Sequence, residues 1–277
     1  MNYQEPSTMN ADAAAQPVTP LVYYKDSAGR AGFIKAVLLI SICLSFGNLY
    51  TAWNAHEYYQ AILSSPAYLT GQSVEVHNPM TGNQALIMLG YMGASLALVI
   101  AFCMWVYRVC WNTHVLGGVN LPYTPGWAVG WFFIPLANIV MPCLVMQSIY
   151  KASKHPVQWR KVGASKLILA WWVLGLLSHG AGRASVAVGR QPHASLEMLS
   201  VSQQFAMFSA LGSIIVCGLL FLIVTDIVAT QSSVFRYLSE NPELHPAAVT
   251  QTEQVATQEP ERPVRQPREA APLCQRA

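Results

Sequence analysis

The chain has 277 residues, of which 53% are hydrophobic and only 10% are charged. A soluble domain usually carries about 25% charged residues, so this composition excludes an ordinary soluble enzyme and a disordered chain. The net charge of +3 is too small an excess of Lys and Arg to indicate a nucleic-acid-binding protein. The composition instead indicates a multi-pass helical membrane protein, and we predict an all-α fold that forms an integral membrane bundle.

Both ends of the chain are polar. Residues 1–32 are predicted to form a disordered cytoplasmic N-terminal segment, and residues 230–277, rich in Pro and Gln, a disordered C-terminal tail. The first apolar run begins only after the polar N-terminal segment and is longer than the core of a signal peptide. We therefore interpret that run as a membrane anchor.

Four apolar runs in the chain are long enough, or nearly so, to cross a bilayer. A helix needs about 20 apolar residues to span the hydrocarbon core of about 30 Å. Backbone N–H and C=O groups find no water there, so the runs are expected to be helices. The predicted membrane domain covers residues 33–229, with spans at about 33–53, 85–107, 166–187 and 205–229.

A fifth apolar stretch, residues 126–149, contains Pro135 and Pro142. Lys and Arg collect in short loops on the cytoplasmic side of a membrane. If this stretch crossed the membrane, the flanking cations would divide six and six; if it leaves on the side from which it entered, they divide ten and two. The second arrangement predicts a Pro-broken re-entrant or interfacial hairpin at 125–153, with both termini cytoplasmic. A kinked spanning helix with only a packing role is the alternative.

The first half of the predicted hairpin combines two indoles with two prolines. Trp127 and Trp131 are four residues apart, so they share a helix face, and indole rings prefer the membrane–water boundary. Pro135 and Pro142 each remove a backbone hydrogen bond, and Asn138 between them could bond the freed backbone groups.

The stretch that follows the second proline is amphipathic. Its apolar face contains Val145, Met146 and Ile149, and its polar face contains Lys151 and Lys154. That pattern predicts a helix lying in the cytoplasmic interface, with its lysines reaching toward lipid headgroups. Irregular backbone at membrane depth is tolerated only when protein shields it or when it lines a water-filled cavity. The hairpin is therefore the main candidate for function.

The same residues resemble a known family. The string PGWAVGWFFIPLAN at 125–138, followed by Pro142 and by YKAS at 150–153, is similar to the hallmark of the bacterial membrane family called domain of unknown function 4328. The resemblance covers about residues 33–229. It implies a multi-pass protein of the bacterial inner membrane and no particular activity, because none is assigned to the family. Two further pairs in the third span are similar as well: Trp171-Trp172 and Gly182-Arg183.

Ionisable side chains inside spans are rare and are functional candidates by default. His179 and Arg183 are four residues apart and share a helix face near the outer boundary. The simpler interpretation is an arginine that extends to the headgroups. Asp226, near the inner end of the last span, is expected to face water or to pair with Arg108. No Asp or Glu lies in the middle of a span, which disfavours a proton-driven transporter.

Enzyme and cofactor motifs are missing from the sequence, including a nucleophile-elbow serine, a phosphate-binding glycine loop and a Cys-x-x-Cys pair. We therefore expect no catalytic activity, no cofactor and no metal. The leading hypothesis is an inner-membrane protein that binds membrane lipid or a partner protein, either a second copy or another membrane protein, through the hairpin and its basic flank. The alternative is a small channel or transporter whose cavity is lined by Asn138, His179 and Arg183.

Overall fold

The computed structural model describes residues 20–72, 82–191 and 193–245. Within these ranges the chain is helical and contains no strand. The disorder predicted for the two ends falls largely on residues 1–19 and 246–277, which lie outside the described ranges.

Four long helices make up most of the structure, and all four are long and apolar enough to cross a membrane. The predicted all-α membrane bundle is therefore confirmed. These helices are α1 (Ala28–Leu63), α3 (Gly82–Val115), α6 (Lys166–Gly189) and α7 (Leu196–Glu240). Three shorter helices are α2 (Pro66–Leu69), α4 (Pro125–Gly130) and α5 (Met141–Lys154).

Side-chain caps fix where two of the long helices begin. The Ser165 hydroxyl accepts the backbone N–H of Ile168 at the start of α6, and the Ser195 hydroxyl accepts that of Met198 at the start of α7. Each cap satisfies one of the N–H groups that the first turn of a helix leaves without a partner. The short connection after α6 therefore ends at Ser195 with a capped start of the longest helix.

Helix α7 is the central helix of the bundle, and α1 runs antiparallel to it. The Gln60 amide donates to the Ser200 hydroxyl over 2.9 Å, and the Lys35 ammonium lies 5.2 Å from the centre of the Phe221 ring. The 25 residues from Lys35 to Gln60 rise about 37 Å along the helix axis. This length is enough to cross the hydrocarbon core of about 30 Å.

Small residues bring α6 close to the opposite side of α7. The Ser178 hydroxyl donates to the carbonyl of Ser209, and the Ser202 hydroxyl donates to the carbonyl of Ser185, each over 3.0 Å. Glycines face these serines, because a Cβ at Gly182 would lie 2.9 Å from the Ser209 oxygen. Close approach through small residues is the usual way in which helices associate where lipid removes the hydrophobic drive.

Large apolar side chains fill the centre of the bundle and also cover its outside. Trp105 is fully buried, and Phe102 packs against it and against Trp171, with ring centres 6.0 and 5.9 Å apart. Outward-facing side chains such as Leu39 and Phe46 are more than half exposed. An apolar exterior of this extent suits a surface that faces lipid.

One end of the bundle contains the start of α1 and α6 and the end of α3, α5 and α7. Ten of the twelve Lys and Arg residues among the described residues belong to this end; we call it the basic end. These are Lys25, Arg30, Lys35, Arg108, Lys151, Lys154, Arg160, Lys161, Lys166 and Arg236. Arg183 and Arg190 belong to the last two turns and C-cap of α6, toward the opposite end.

The structure corrects the predicted boundaries of the two polar ends. Helix α7 continues to Glu240, although disorder was predicted from residue 230, and Leu21 is buried, although it falls in the predicted N-terminal segment. Leu21, Leu116 and Leu238 form a small separate apolar cluster beyond the main core. The predicted boundaries were set by the length of helix needed to cross the hydrocarbon core. The residues just beyond them are ordered because they pack against each other.

The close contact of α6 with α7 gives a first prediction. A Cβ at Gly212 would lie 3.0 Å from the Cβ of Ser178, whereas a Cβ at Gly218 on the same helix would meet nothing within 4 Å. Gly212→Ala is expected to destabilise the bundle by about 1–3 kcal/mol, the usual effect of overpacking. A thermal unfolding midpoint measured in detergent should fall for Gly212→Ala and not for the control Gly218→Ala. Equal midpoints would contradict the prediction, because they would show that α6 and α7 can move apart at Gly212 without a loss of stability.

Candidate functional site

Residues 125–154, which we call the proline segment, form two helices joined by an irregular turn. Pro125 lies in the first turn of α4, where its missing N–H costs nothing. Helix α4 ends at Gly130, and the next turn tightens, with the N–H groups of Phe132 and Phe133 donating to the carbonyls three residues earlier. Pro135 prevents the helix from resuming there, because it cannot donate to the carbonyl of Trp131 and disfavours a helical residue before it. A short 3-10 turn, Ala137–Ile139, then leads into α5.

The second proline does not act as predicted. Pro142 was expected to break a helix, but it lies in the first turn of α5, where a proline is compatible with helical backbone. Pro135 alone therefore interrupts the segment. The side chain of Asn138 is exposed and makes no hydrogen bond to the described residues, so its predicted bond to freed backbone groups is not formed.

Contacts along the proline segment trace its path from the basic end and back. The carbonyl of Tyr123 lies 3.8 Å from the Cys110 sulfur, whereas the Phe132 ring packs against Phe102, with centres 5.3 Å apart. The eight residues from Phe102 to Cys110 correspond to about 12 Å along α3. At the other end of the segment, Ser153 is again next to the last turns of α3, through Gln231.

The loops on either side of the proline segment also touch each other. The indole N–H of Trp159, after α5, donates to the carbonyl of Val119, before α4, over 2.9 Å. Gln147 and Ser165 exchange two hydrogen bonds of 2.7 and 2.8 Å, which attach α5 to the start of α6. Both flanks of the segment therefore lie at the basic end.

Helix α5 buries the face that was predicted to be apolar, but against protein rather than lipid. Val145, Met146 and Ile149 are all buried and belong to the main core. The apolar face of α5 is therefore not free to enter lipid, whereas the position of the helix at the cytoplasmic interface stays a prediction. An amphipathic pattern identifies the face that leaves water, but it does not distinguish lipid from a neighbouring helix.

A buried polar network holds the end of α5 in place. The side-chain amide of Gln231, fully buried on α7, donates to the carbonyl of Val109 over 2.9 Å and to the Ser153 hydroxyl over 3.0 Å. Asn112, also fully buried, donates to the Gln231 carbonyl oxygen and to the backbone carbonyl of Lys25. One cluster of amides thus joins α3, α5, α7 and the chain before α1.

Sequence reasoning missed this network, because both amides lie beyond the predicted spans. Asn112 follows the second span, whose predicted end was 107, and Gln231 follows the last, whose predicted end was 229. A signal was present in the spacing. Val224, Ile227 and Gln231 lie at i, i+3 and i+7 on one face of α7, so the glutamine continues a buried apolar stripe.

The two lysines of the predicted basic flank have different surroundings. Lys154 donates to the Tyr150 hydroxyl over 2.6 Å and lies 3.8 Å from the Asp226 carboxylate, with about half of each charged side chain exposed. The hydrogen bond to Tyr150 raises the pKa of Lys154, with a smaller contribution from Asp226, against the opposing effect of burial. Asp226 is about half exposed, and its ionic partner is Lys154 rather than the predicted Arg108. Lys151 is partly exposed.

The predicted indole pair is formed. Trp127 and Trp131 lie on one face of the segment, with ring centres 5.3 Å apart, and Trp127 is exposed. Trp172, of the family-like pair in α6, donates its indole N–H to the carbonyl of Ile139 over 3.0 Å. This bond satisfies one polar group of the irregular turn.

The residues of the predicted channel cavity are not brought together. Asn138, His179 and Arg183 are all exposed, and no contact within the described ranges joins Asn138 to the other two. A ring nitrogen of His179 lies 3.2 Å from the carbonyl of Gly175 on its own helix. The two α6 residues face outward, on the side away from α7.

A serine–histidine contact at the opposite end of the bundle has the chemistry of a nucleophile and base. The Ser200 hydroxyl lies 3.0 Å from Nδ1 of His56 and also accepts from the Gln60 amide. Ser200 is only 2% exposed and lies within the regular helix α7, so a substrate has no access to its oxygen. The contact is best explained as polar packing between α1 and α7.

The buried amide network gives a second prediction. Gln231→Leu keeps the volume but removes the hydrogen bonds to Val109 and Ser153, and it is expected to cost about 1–3 kcal/mol of unfolding free energy. The exposed Gln204 on the same helix supplies the control Gln204→Leu. Thermal unfolding in detergent should show a lower midpoint for the first variant only. Equal stability of the two variants would mean that the amides do not hold α5.

Comparison with known proteins identifies a family. Searches of curated proteins and of solved structures found no significant similarity. A family model, described as "Domain of unknown function (DUF4328)", matches residues 80–229, which is more than half of the chain. The match includes α4, α5 and α6 in full and begins after α1, so the first span lies outside it, although the resemblance had been extended to residue 33. The chain belongs to the DUF4328 family.

Proposed function

We propose that the protein is a non-catalytic protein of the bacterial inner membrane that binds a partner protein through the proline segment. The basic end faces the cytoplasm in this proposal, because Lys and Arg collect on that side of short loops. Of the twelve described Lys and Arg residues, ten belong to the basic end and two lie toward the opposite end. Both termini are then cytoplasmic, since α1 begins and α7 ends at the basic end.

The proline segment would enter the inner leaflet from the cytoplasm and return to it. Support comes from its flanks, which are joined by the Trp159–Val119 hydrogen bond, and from its turn, which packs beside Phe102. The depth of about 12 Å along α3 is less than half of the hydrocarbon thickness of about 30 Å. The turn would therefore reach the depth of the lipid chains of the inner leaflet without crossing the membrane.

The single observation that favours a protein partner is the exposed, irregular backbone of this turn. Phe133 and Leu136 are 64% and 84% exposed, and Ile139 and Val140 are also more than half exposed. The backbone N–H groups at 134, 136 and 137 donate no hydrogen bond within the described ranges. Irregular backbone of this kind does not occur in contact with lipid, because each unsatisfied group costs several kcal/mol there. A second polypeptide would cover the apolar side chains and satisfy these groups.

Cysteine labelling tests the path of the proline segment. In a background without the six native cysteines, single cysteines at Val119, Gln158 and Gln72 should react with a membrane-impermeant maleimide from two different sides. Val119 and Gln158 should be protected in intact cells and labelled after lysis, and Gln72 should be labelled in both. Labelling of Val119 and Gln158 from opposite sides would make the segment a spanning helix and contradict the proposal.

Site-specific photo-crosslinking tests the partner. A benzophenone amino acid at Leu136 should give an adduct of one defined protein mass, because the turn is covered. The matched control is the same amino acid at Leu39, an exposed lipid-facing residue of α1, which should give lipid adducts alone. Crosslinking of the purified protein in nanodiscs then distinguishes a second copy of the chain from another membrane protein. An adduct of twice the mass of the chain would identify a second copy. Lipid adducts alone at Leu136 would contradict a protein partner and favour lipid binding.

A further inference from the structure

Two arginines from different helices meet at the basic end, where α1 packs against α3. The guanidinium of Arg30 donates to the carbonyl of Met104 over 2.7 Å. Arg108 lies one helical turn further along α3, on the same face as Met104, so the two side chains project into the same region. The carbonyl of Met104 points along α3 toward residue 108, so the Arg30 guanidinium lies beside the helical turn that contains Arg108. Both arginines are partly buried.

No acidic residue neutralises this pair within the described ranges. The single ion pair within 4 Å in those ranges joins Lys154 to Asp226. The nearest acid in sequence, Asp26, accepts the backbone N–H of Ala28 and so caps the start of α1. Two partly buried like charges repel each other, and an anion between them would remove that repulsion.

The surroundings of the arginines resemble the boundary between headgroups and lipid chains. Trp111, exposed and one turn beyond Arg108, is the kind of residue that lies at a membrane surface. On the other side, toward the middle of the bundle, Phe33 and Ile100 are both at least half exposed. The arginines therefore lie between an interfacial indole and an apolar surface that can hold an acyl chain.

We propose that Arg30 and Arg108 bind the phosphate of an anionic phospholipid, whose acyl chain lies against Phe33 and Ile100. Guanidinium groups suit this ligand, because their planar N–H groups bind phosphate oxygens with paired hydrogen bonds. Arg30 is held by the Met104 carbonyl, and Arg108 makes no hydrogen bond to the described residues, so its donors are available to the lipid. This site is separate from the proline segment and does not depend on the proposed partner.

Native mass spectrometry of the full chain in detergent tests the lipid site. With added phosphatidylglycerol, the wild-type protein should retain more lipid than with phosphatidylcholine of the same chains. Arg108→Gln should weaken retention of phosphatidylglycerol about ten-fold, the usual effect of losing a charge-assisted contact. Arg108→Lys keeps the charge and should bind with intermediate affinity. Arg160→Gln is the matched control, because Arg160 packs over the Trp159 ring and not between α1 and α3. This change should leave retention unaltered.

Three results would overturn the lipid site. The first is equal retention by Arg108→Gln and wild type, and the second is equal loss in the Arg160→Gln control, which would indicate nonspecific attraction to any cation. The third is displacement of phosphatidylglycerol by millimolar inorganic phosphate, which would make this a site for free phosphate. If Arg108→Gln fails to fold, the wild-type protein still decides, since equal retention of the two lipids contradicts the proposal.

Discussion

The side-chain amide of Gln231 is the interaction on which the arrangement of the basic end depends. Apolar packing alone places α5 against its neighbours but does not determine its position along α7, because such contacts are non-directional. The amide donates to Val109 on α3 and to Ser153 on α5, and Asn112 extends the network to the chain before α1. Hydrogen bonds in a buried environment are directional and costly to leave unmade. They therefore give these elements one register.

Helix α7 supplies most of the contacts that organise the bundle, and it does so with different chemistry along its length. Serines and Gly212 allow α6 to approach closely, whereas Ser200 meets His56 and Gln60 of α1 near the opposite end. Toward the basic end the same helix presents apolar residues such as Ile223 to the core and then Gln231 to the polar network. A single helix with 45 residues can make all of these contacts because it continues well past the hydrocarbon core.

The proline segment combines a well-bonded flank with an irregular turn, and this contrast is what points to function. Around Ser153 and Gln147 the side chains make specific hydrogen bonds to neighbouring helices. Around Leu136 the apolar side chains face outward and several backbone N–H groups lack partners within the described ranges. Backbone N–H groups cannot remain unpaired in contact with lipid, because the lipid chains accept no hydrogen bonds. The arginine pair between α1 and α3 is a separate case. There the positive charges of two side chains, and not backbone groups, have no acidic partner within the described ranges.

The sequence by itself determined the features that depend on local chemistry and on the bilayer. It predicted four spanning helices, since lipid requires a long apolar run, and it predicted the interruption at Pro135, since proline has no N–H to donate. Only the tertiary structure decided that Val145 and Met146 pack against protein, that Lys154 pairs with Asp226, and that α7 continues to Glu240. An apolar or charged side chain specifies the kind of surroundings it needs, but which helix provides them depends on how the whole chain packs.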